Sequence, residues 1–293
     1  MSGAFAAALA TALGRLVEVG PETAVRGGCI NDCFRWQTAF GPVFVKRCAL
    51  NGRWLLEAER DGLERLRAVG AIRVPEILAA GFAGDEAFLV LEWLDLRPAD
   101  DAADARLGAA LARLHETRGP AFGLERDNAI GATPQPNGRC ESWPEFWGER
   151  RLGYQLELAA RNGYTGRLQD RGHRLLEHVG AFFGDYRPLP SLLHGDLWSG
   201  NRAMLAEGTP VVFDPAVYYG DPEADIAMTR LFAGFGPEFY AAYAAVRPPD
   251  AGAATRSDLY NLYHVLNHLN QFGGGYRSQA ESMIDRLLAA AGH

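Results

Sequence analysis

The run LLHGDLWSGN at 192–201, followed by the apolar stretch PVVF at 210–213 and then Asp214, constrains this chain more than any other feature. It sets two carboxylates and an amide, Asp196, Asp214 and Asn201, on one loop and at the end of one short strand. Phosphoryl transfer asks for such a set. The reaction needs in-line positioning and neutralised charge on phosphate oxygens, with little covalent help from protein. One acid can serve an attacking hydroxyl, while two oxygen ligands suit magnesium and leave its other positions for water and phosphate. A chance loop match is the bland alternative, and the strand that delivers Asp214 weighs against it.

Lysine usage is the second constraint. Of 29 Lys and Arg residues only Lys46 is a lysine, and it stands in the strand-like VFVKR. Drift toward arginine accounts for the others but not for the exception. An ammonium is a compact point charge and a guanidinium a planar fork, so a phosphate site built for one need not accept the other. A helix expected over 53–69, closed by Gly70, supplies a partner. Glu57 falls on its polar face with Arg53, Arg60, Asp61 and Glu64, whereas Glu59 shares a stripe with Leu55, Leu56, Leu63 and Leu66. A carboxylate on an apolar face needs a partner once buried. Lys46 is therefore expected to pair with Glu59. A pair that merely ties helix to sheet is the structural alternative.

Around these residues the pattern changes once along the chain. Phe5, Leu9, Leu13 and Leu16 recur at helical spacing, so the apolar start reads as an amphipathic helix and not as a signal peptide. Strand-like segments follow at 16–19, 33–38 and 43–47, with Gly41-Pro42 as a turn, then at 74–80 and 88–94. Strands and one helix in the first 95 residues make a small coherent lobe. From Ala102 onward helices dominate, near 107–114, 147–160, 167–183, 225–232 and 258–272, and 120–144 reads as an ordered surface excursion.

Net charge is −7 with no basic tract, which argues against nucleic acid as a partner. No apolar run reaches membrane-spanning length, and four cysteines without zinc spacing point to reduced thiols in a cytoplasmic protein.

Together these residues resemble the protein-kinase-like fold in its aminoglycoside-phosphotransferase branch, and most closely the fructosamine kinase (ketosamine-3-kinase) family. HGDLWSGN, DPAVYYGDPEADIAM, FGLERDNAIGATPQPN and NLYHVLNHLNQFGGGY carry the likeness, which covers nearly the whole chain. The resemblance implies an α+β bilobal fold, with an ATP-binding lobe over 1–94 and a catalytic and acceptor-binding lobe over 95–293. It implies ATP-dependent phosphorylation of the 3-hydroxyl of ketosamines, small or protein-bound, with magnesium. By matching position, Asp196 is the catalytic acid/base, Asn201 and Asp214 the magnesium ligands, Lys46 the phosphate contact and Glu59 its anchor. The loop Gly27, Gly28, Cys29, Ile30, Asn31 would cover the phosphates with backbone N–H groups, and Glu92-Trp93-Leu94 would face adenine with its backbone. Gly195 and Pro215-Ala216 depart from regulated protein kinases, and this implies that no activation-loop switch operates. A kinase for an aminoglycoside or amino alcohol, or an inactive nucleotide binder, are the competing readings.

On the acceptor side Trp198 could stack on the sugar or wedge the loop. Tyr260, His264, Asn267 and Gln271 form a polar stripe that suits either a sugar pocket or a hydrogen-bonded buried helix. His264 and His268 lack a third metal ligand. His194 is expected to order the loop, Asp225 to begin a helix and brace the same loop, and Trp143 and Trp147 to pack.

Overall fold

The computed structural model describes residues 2–14, 16–25 and 32–293. The loop 27–31 therefore lies outside the described residues. Helix α1 (Ser2–Leu13) precedes strands β1 (Val19–Ala24), β2 (Asp32–Thr38) and β3 (Gly41–Ala49), then helix α2 (Arg53–Val69) and strands β4 (Ile77–Ala83) and β5 (Glu86–Glu92). The five strands form one antiparallel sheet in the order β1-β2-β3-β5-β4. Both faces are covered. Phe5 and Leu9 of α1 bury against Trp36, Val43, Val45, Phe88 and Val90 on one side. Leu56, Leu63 and Leu66 of α2 bury with Ala87, Leu89 and Leu91 on the other. Burial on both sides is why FLVL in β5 is apolar throughout and does not alternate.

The remainder is mainly helical. It comprises α3 (Asp101–Leu114), a hairpin of β6 (Asn128–Ile130) and β7 (Thr133–Gln135), and a long helix built from α4 (Trp143–Phe146), a π-helical stretch (Trp147–Gly153) and α5 (Tyr154–Arg161). After α6 (Arg167–Leu176) come two small ladders. In one, β8 (Ser191–Leu193) pairs with β11 (Tyr218–Gly220); in the other, β9 (Arg202–Met204) pairs with β10 (Pro210–Val212). Helices α7 (Pro222–Leu231), α8 (Pro237–Ala244), α9 (Ala253–Phe272) and α10 (Tyr276–Ala290) complete the chain. Among the described residues no helix is long and apolar enough to cross a membrane.

Several expectations need correction. The first strand begins at Val19, not Leu16, because Gly14 at φ 64° ends α1 and leaves Leu16 97% exposed. The hairpin tip is Ala39-Phe40, with Gly41 and Pro42 already in β3. The Thr38 hydroxyl holds that tip, donating to Gly41 O and accepting from Phe40 N. β4 starts at Ile77, after Pro75, whose nitrogen cannot donate to a ladder. The segment 120–144 is ordered but not superficial, since Phe122, Leu124, Asn128, Ile130, Gln135 and Asn137 are buried. Helix α7 begins at Pro222, earlier than expected, capped by the Asp221 carboxylate, which accepts from Glu223 N.

Candidate active site

Asp196 lies on the loop after β8, and Asp225 of α7 holds that loop from behind. Its two carboxylate oxygens accept His194 N and Gly195 N, each at 2.8 Å, while His115 Nε2 lies 3.1 Å away. His194 does order the loop: Asp196 N donates to its Nδ1 at 3.3 Å, and Nε2 sits 3.2 Å from Phe213 O. Gly195 has φ 83°, and a Cβ there would come within 2.0 Å of Ala216 O. Left-handed backbone costs an alanine about 1–2 kcal/mol before any clash is counted. Gly195→Ala is therefore expected to destabilise the fold by at least about 2 kcal/mol. An unchanged urea midpoint would contradict this.

Asn201 joins the two acids. Its Nδ2 donates to Asp196 O at 2.9 Å and Asp196 Oδ2 at 3.1 Å, with Asp214 O at 3.5 Å. Asp214 follows β10 at φ 54°, a left-handed conformation that Asp tolerates better than most residues. Its Oδ1 is 2.5 Å from Lys46 Nζ. Lys46 also lies 2.8 Å from each oxygen of Glu59, so the expected ion pair forms. Glu57 stays exposed beside Arg53. Burial works against the Lys46 charge, but Asp214 and Glu59 override it and hold the ammonium above its ordinary pKa. Burial raises Glu59 despite Lys46, whereas Lys46 brings the more open Asp214 below the usual carboxylate range. Burial, then the Asp214 charge, pushes Asp196 up to about 7.

Two clefts meet at this cluster. One, of about 550 Å³, runs from Phe44 and Leu91 past Glu92, Trp93 and Leu94 to Lys46 and Asp214. Glu92 turns its carboxylate to Arg73 and Glu76 N, and the Trp93 indole donates to Asp95. The other cleft, of about 380 Å³, starts at Lys46, Glu59 and Asp214 and continues past Asp196, Asn201 and Trp198 to His264, Asn267 and Gln271. Lys46 and Asp214 belong to both, while Asp196 belongs to the second alone.

On the acceptor side Trp198 is 37% exposed, edge-on to Phe232, and lies against Gly200, where a Cβ would meet its ring at 2.2 Å. It lines the second cleft while wedging its own loop. His264 and Asn267 are buried yet line the same cleft, and Tyr260 is fully buried with its hydroxyl donating to Asp221. Burial, then His268, depresses the His264 pKa to about 3. The unfolded chain therefore takes up the proton first, so the fold loses stability as pH drops through 6.5 toward 3. Relative to His264→Asn, wild type should lose about 1.4 kcal/mol between pH 7.5 and 5.5. Urea unfolding at both pH values checks this, and a pH-independent difference would contradict a buried neutral imidazole.

Sequence reasoning missed the support behind the second cleft. Arg151, on the π-helical stretch, is fully buried and packs over Phe146 and Tyr218 at 4.6 and 4.2 Å. It donates to Asn137 Oδ1, Asn137 donates to Asn128 Oδ1, and Gln135 Nε2 bonds both Asn128 and Ala216 O. The Tyr263 hydroxyl closes the set on Gln135. This network pins the β6–β7 hairpin to α9 and to the segment after Asp214. Gly62 was also missed: a Cβ there would lie 2.9 Å from Pro215, so α2 rests directly beside Asp214. Arg65–Glu125 and Arg126–Asp61 pairs add to that docking.

A covered antiparallel sheet whose helix delivers a glutamate to a strand lysine, set against a helical part bearing an Asp/Asn loop, defines a phosphotransferase of protein-kinase-like fold. The fructosamine kinase family model matches residues 1–290. The chain is 44% identical over 276 residues to a probable ketoamine kinase of Synechocystis sp., covering 94% of this chain and 92% of that one. It is 43% identical over 278 residues to the chloroplastic protein-ribulosamine 3-kinase of Arabidopsis thaliana, covering 94% and 85%. A solved structure from Haemophilus somnus, assigned to fructosamine-3-kinase, matches at TM-score 0.88 and 29% identity, covering 97% and 96%. The chain belongs to the fructosamine kinase family, and is by that membership an ATP-dependent kinase.

Proposed function

We propose that this protein moves the γ-phosphate of ATP to the 3-hydroxyl of ketosamines, the fructosamines and ribulosamines that glycation forms on amines. The phosphorylated sugar is then shed and the amine restored. The observation that supports this most is the junction of two clefts at Lys46 and Asp214, with Asp196 on the second cleft alone. A nucleotide in the first cleft would bring its terminal phosphate to a hydroxyl in the second.

Residues 1–94 form the ATP-binding lobe and 95–293 the catalytic and acceptor-binding lobe. The backbone of Glu92, Trp93 and Leu94 faces adenine; Gly27, Gly28, Cys29, Ile30 and Asn31, outside the described residues, are assigned to the phosphates by family resemblance alone. Lys46 holds phosphate oxygens as a point charge, and Glu59 keeps it aimed. Asp196 orients the acceptor hydroxyl and takes its proton. Trp198, His264 and Asn267 line the sugar's place. Asn201 and Asp214 fit magnesium: both offer hard oxygen atoms, and Asn201 spends its Nδ2 on Asp196, which leaves its amide oxygen for a cation. Magnesium held there would neutralise phosphate charge and relieve the repulsion between Asp214 and Asp196. The site is cytoplasmic in this reading, with no nucleic acid or membrane partner.

An aminoglycoside is a poor fit, because a polycation calls for acidic walls. Among the described residues the carboxylates lining the second cleft, Glu59, Asp196 and Asp214, all sit at its reaction end, two of them paired with Lys46, and none lines the Trp198–Tyr276 end. Incubation with ATP, magnesium and a synthetic fructosamine or an aminoglycoside, followed by mass spectrometry, tests the choice. Phosphate on the aminoglycoside alone would overturn it.

A further inference from the structure

The far end of the second cleft is built from rings. Trp198 meets Phe232 at 6.1 Å between centroids, Phe232 meets His268 at 5.0 Å, and His268 stacks on Phe272 and Tyr276 at 5.5 and 5.2 Å. Burial holds both His268 and His264 below the ordinary imidazole pKa, so these rings are neutral at physiological pH. Trp198, Phe232 and Phe272 are each more than a third exposed, although large apolar side chains are mostly buried elsewhere. Among the described residues every ionisable Lys, Asp or Glu lining this cleft (Lys46, Glu59, Asp196, Asp214) sits at the reaction end. Ala129, Ile130 and Gly131, at the hairpin tip, also line this cleft. Gln271 of α9 fixes that tip, its Oε1 accepting Ala132 N and its Nε2 donating to Ile130 O. The hairpin on this cleft is thus tied to α9, the helix that carries His268 and Phe272.

We propose that Phe232, His268, Phe272 and Tyr276 form a specificity wall for the amine substituent of the acceptor, selecting alkyl or aryl groups over anionic ones. The inference rests on the ketosamine reading above. In such an acceptor the nitrogen is three bonds from the carbon bearing the reacting hydroxyl. With that hydroxyl at Asp196, the nitrogen and its substituent would extend along the cleft that the rings also line. A secondary ammonium is attracted by ring faces, and an apolar body gains by leaving water against them. A carboxylate next to the nitrogen would meet the same ring faces with no cationic side chain among the described residues at that end of the cleft, and would lose hydration there.

Fructosyl adducts of benzylamine, methylamine and glycine separate these terms. The wild-type enzyme should show kcat/KM for the benzyl adduct on the order of tenfold above the methyl adduct, and the glycine adduct below both. In Phe232→Ala and Phe272→Ala, both at partly exposed positions, the benzyl-to-methyl ratio should fall toward one, with thermal melting confirming the fold. Equal kcat/KM for all three adducts in wild type, or an undiminished ratio in both variants, would overturn the wall while leaving the ketosamine reading intact. Failure to phosphorylate any adduct would remove that reading and the wall with it.

Discussion

Asp196→Asn is expected to lower kcat by about 10²–10⁴-fold, the range associated with losing a positioned proton acceptor. Asparagine matches the shape and can still bond Asn201, whose Nδ2 reaches Asp196 Oδ2 at 3.1 Å, but it cannot accept a proton from the acceptor hydroxyl. Stability should hold or rise, because burial and the Asp214 charge already disfavour the ionised form at this position. ATP affinity should stay within about twofold, since Asp196 lines the acceptor cleft and not the nucleotide cleft. Calorimetric ATP binding set beside turnover gives both numbers. Turnover above about a tenth of wild type would remove Asp196 from the chemistry.

Lys46 carries the second large effect. It is 6% exposed, with Nζ 2.5 Å from Asp214 and 2.8 Å from both Glu59 oxygens, so no room is left for a guanidinium fork. Lys46→Arg should keep the charge yet lose on the order of 100-fold in kcat/KM for ATP. Lys46→Met tests a separate consequence. It strands the buried Glu59 without a cation and should cost about 3–5 kcal/mol of stability, measured by urea unfolding. Adding Glu59→Gln to Lys46→Met should recover much of that stability and none of the activity. Strictly additive losses would mean that the two side chains are not coupled.

The cluster of Lys46, Glu59 and Asp214 in the candidate site was legible in the sequence for physical reasons. Glu59 was distinguishable from Glu57 because a helix exposes its faces through periodicity, and an acid on the leucine stripe has nowhere to go but inward. Lys46 stood out by being the exception in an arginine-rich chain. The Asp225 brace was expected through hydrogen bonds to the loop, but its division between His194 N and Gly195 N was not. What stayed hidden depends on partners distant in sequence. Arg151 reads as one more surface arginine until Asn137, Phe146, Tyr218 and Tyr263 are brought around it. Gly62 looks like a flaw in α2 until Pro215 is placed against it. That contact seats α2 against the residue after Asp214. Helix α10 was missed although Ala280, Met283, Ile284, Leu287 and Leu288 carry helical spacing; the signal was present and went unread.

The central claim is that an Asp196-centred site moves phosphate from ATP to the 3-hydroxyl of an amine-linked ketose. Phosphorus-31 NMR of the product from ATP, magnesium and a synthetic fructosamine or ribulosamine tests it most directly. The predicted spectrum shows a new phosphate coupled to the proton on sugar carbon 3, formed by wild type and missing with Asp196→Asn. No phosphorylated ketosamine from folded, ATP-binding protein, or phosphate on a different hydroxyl, would contradict the account.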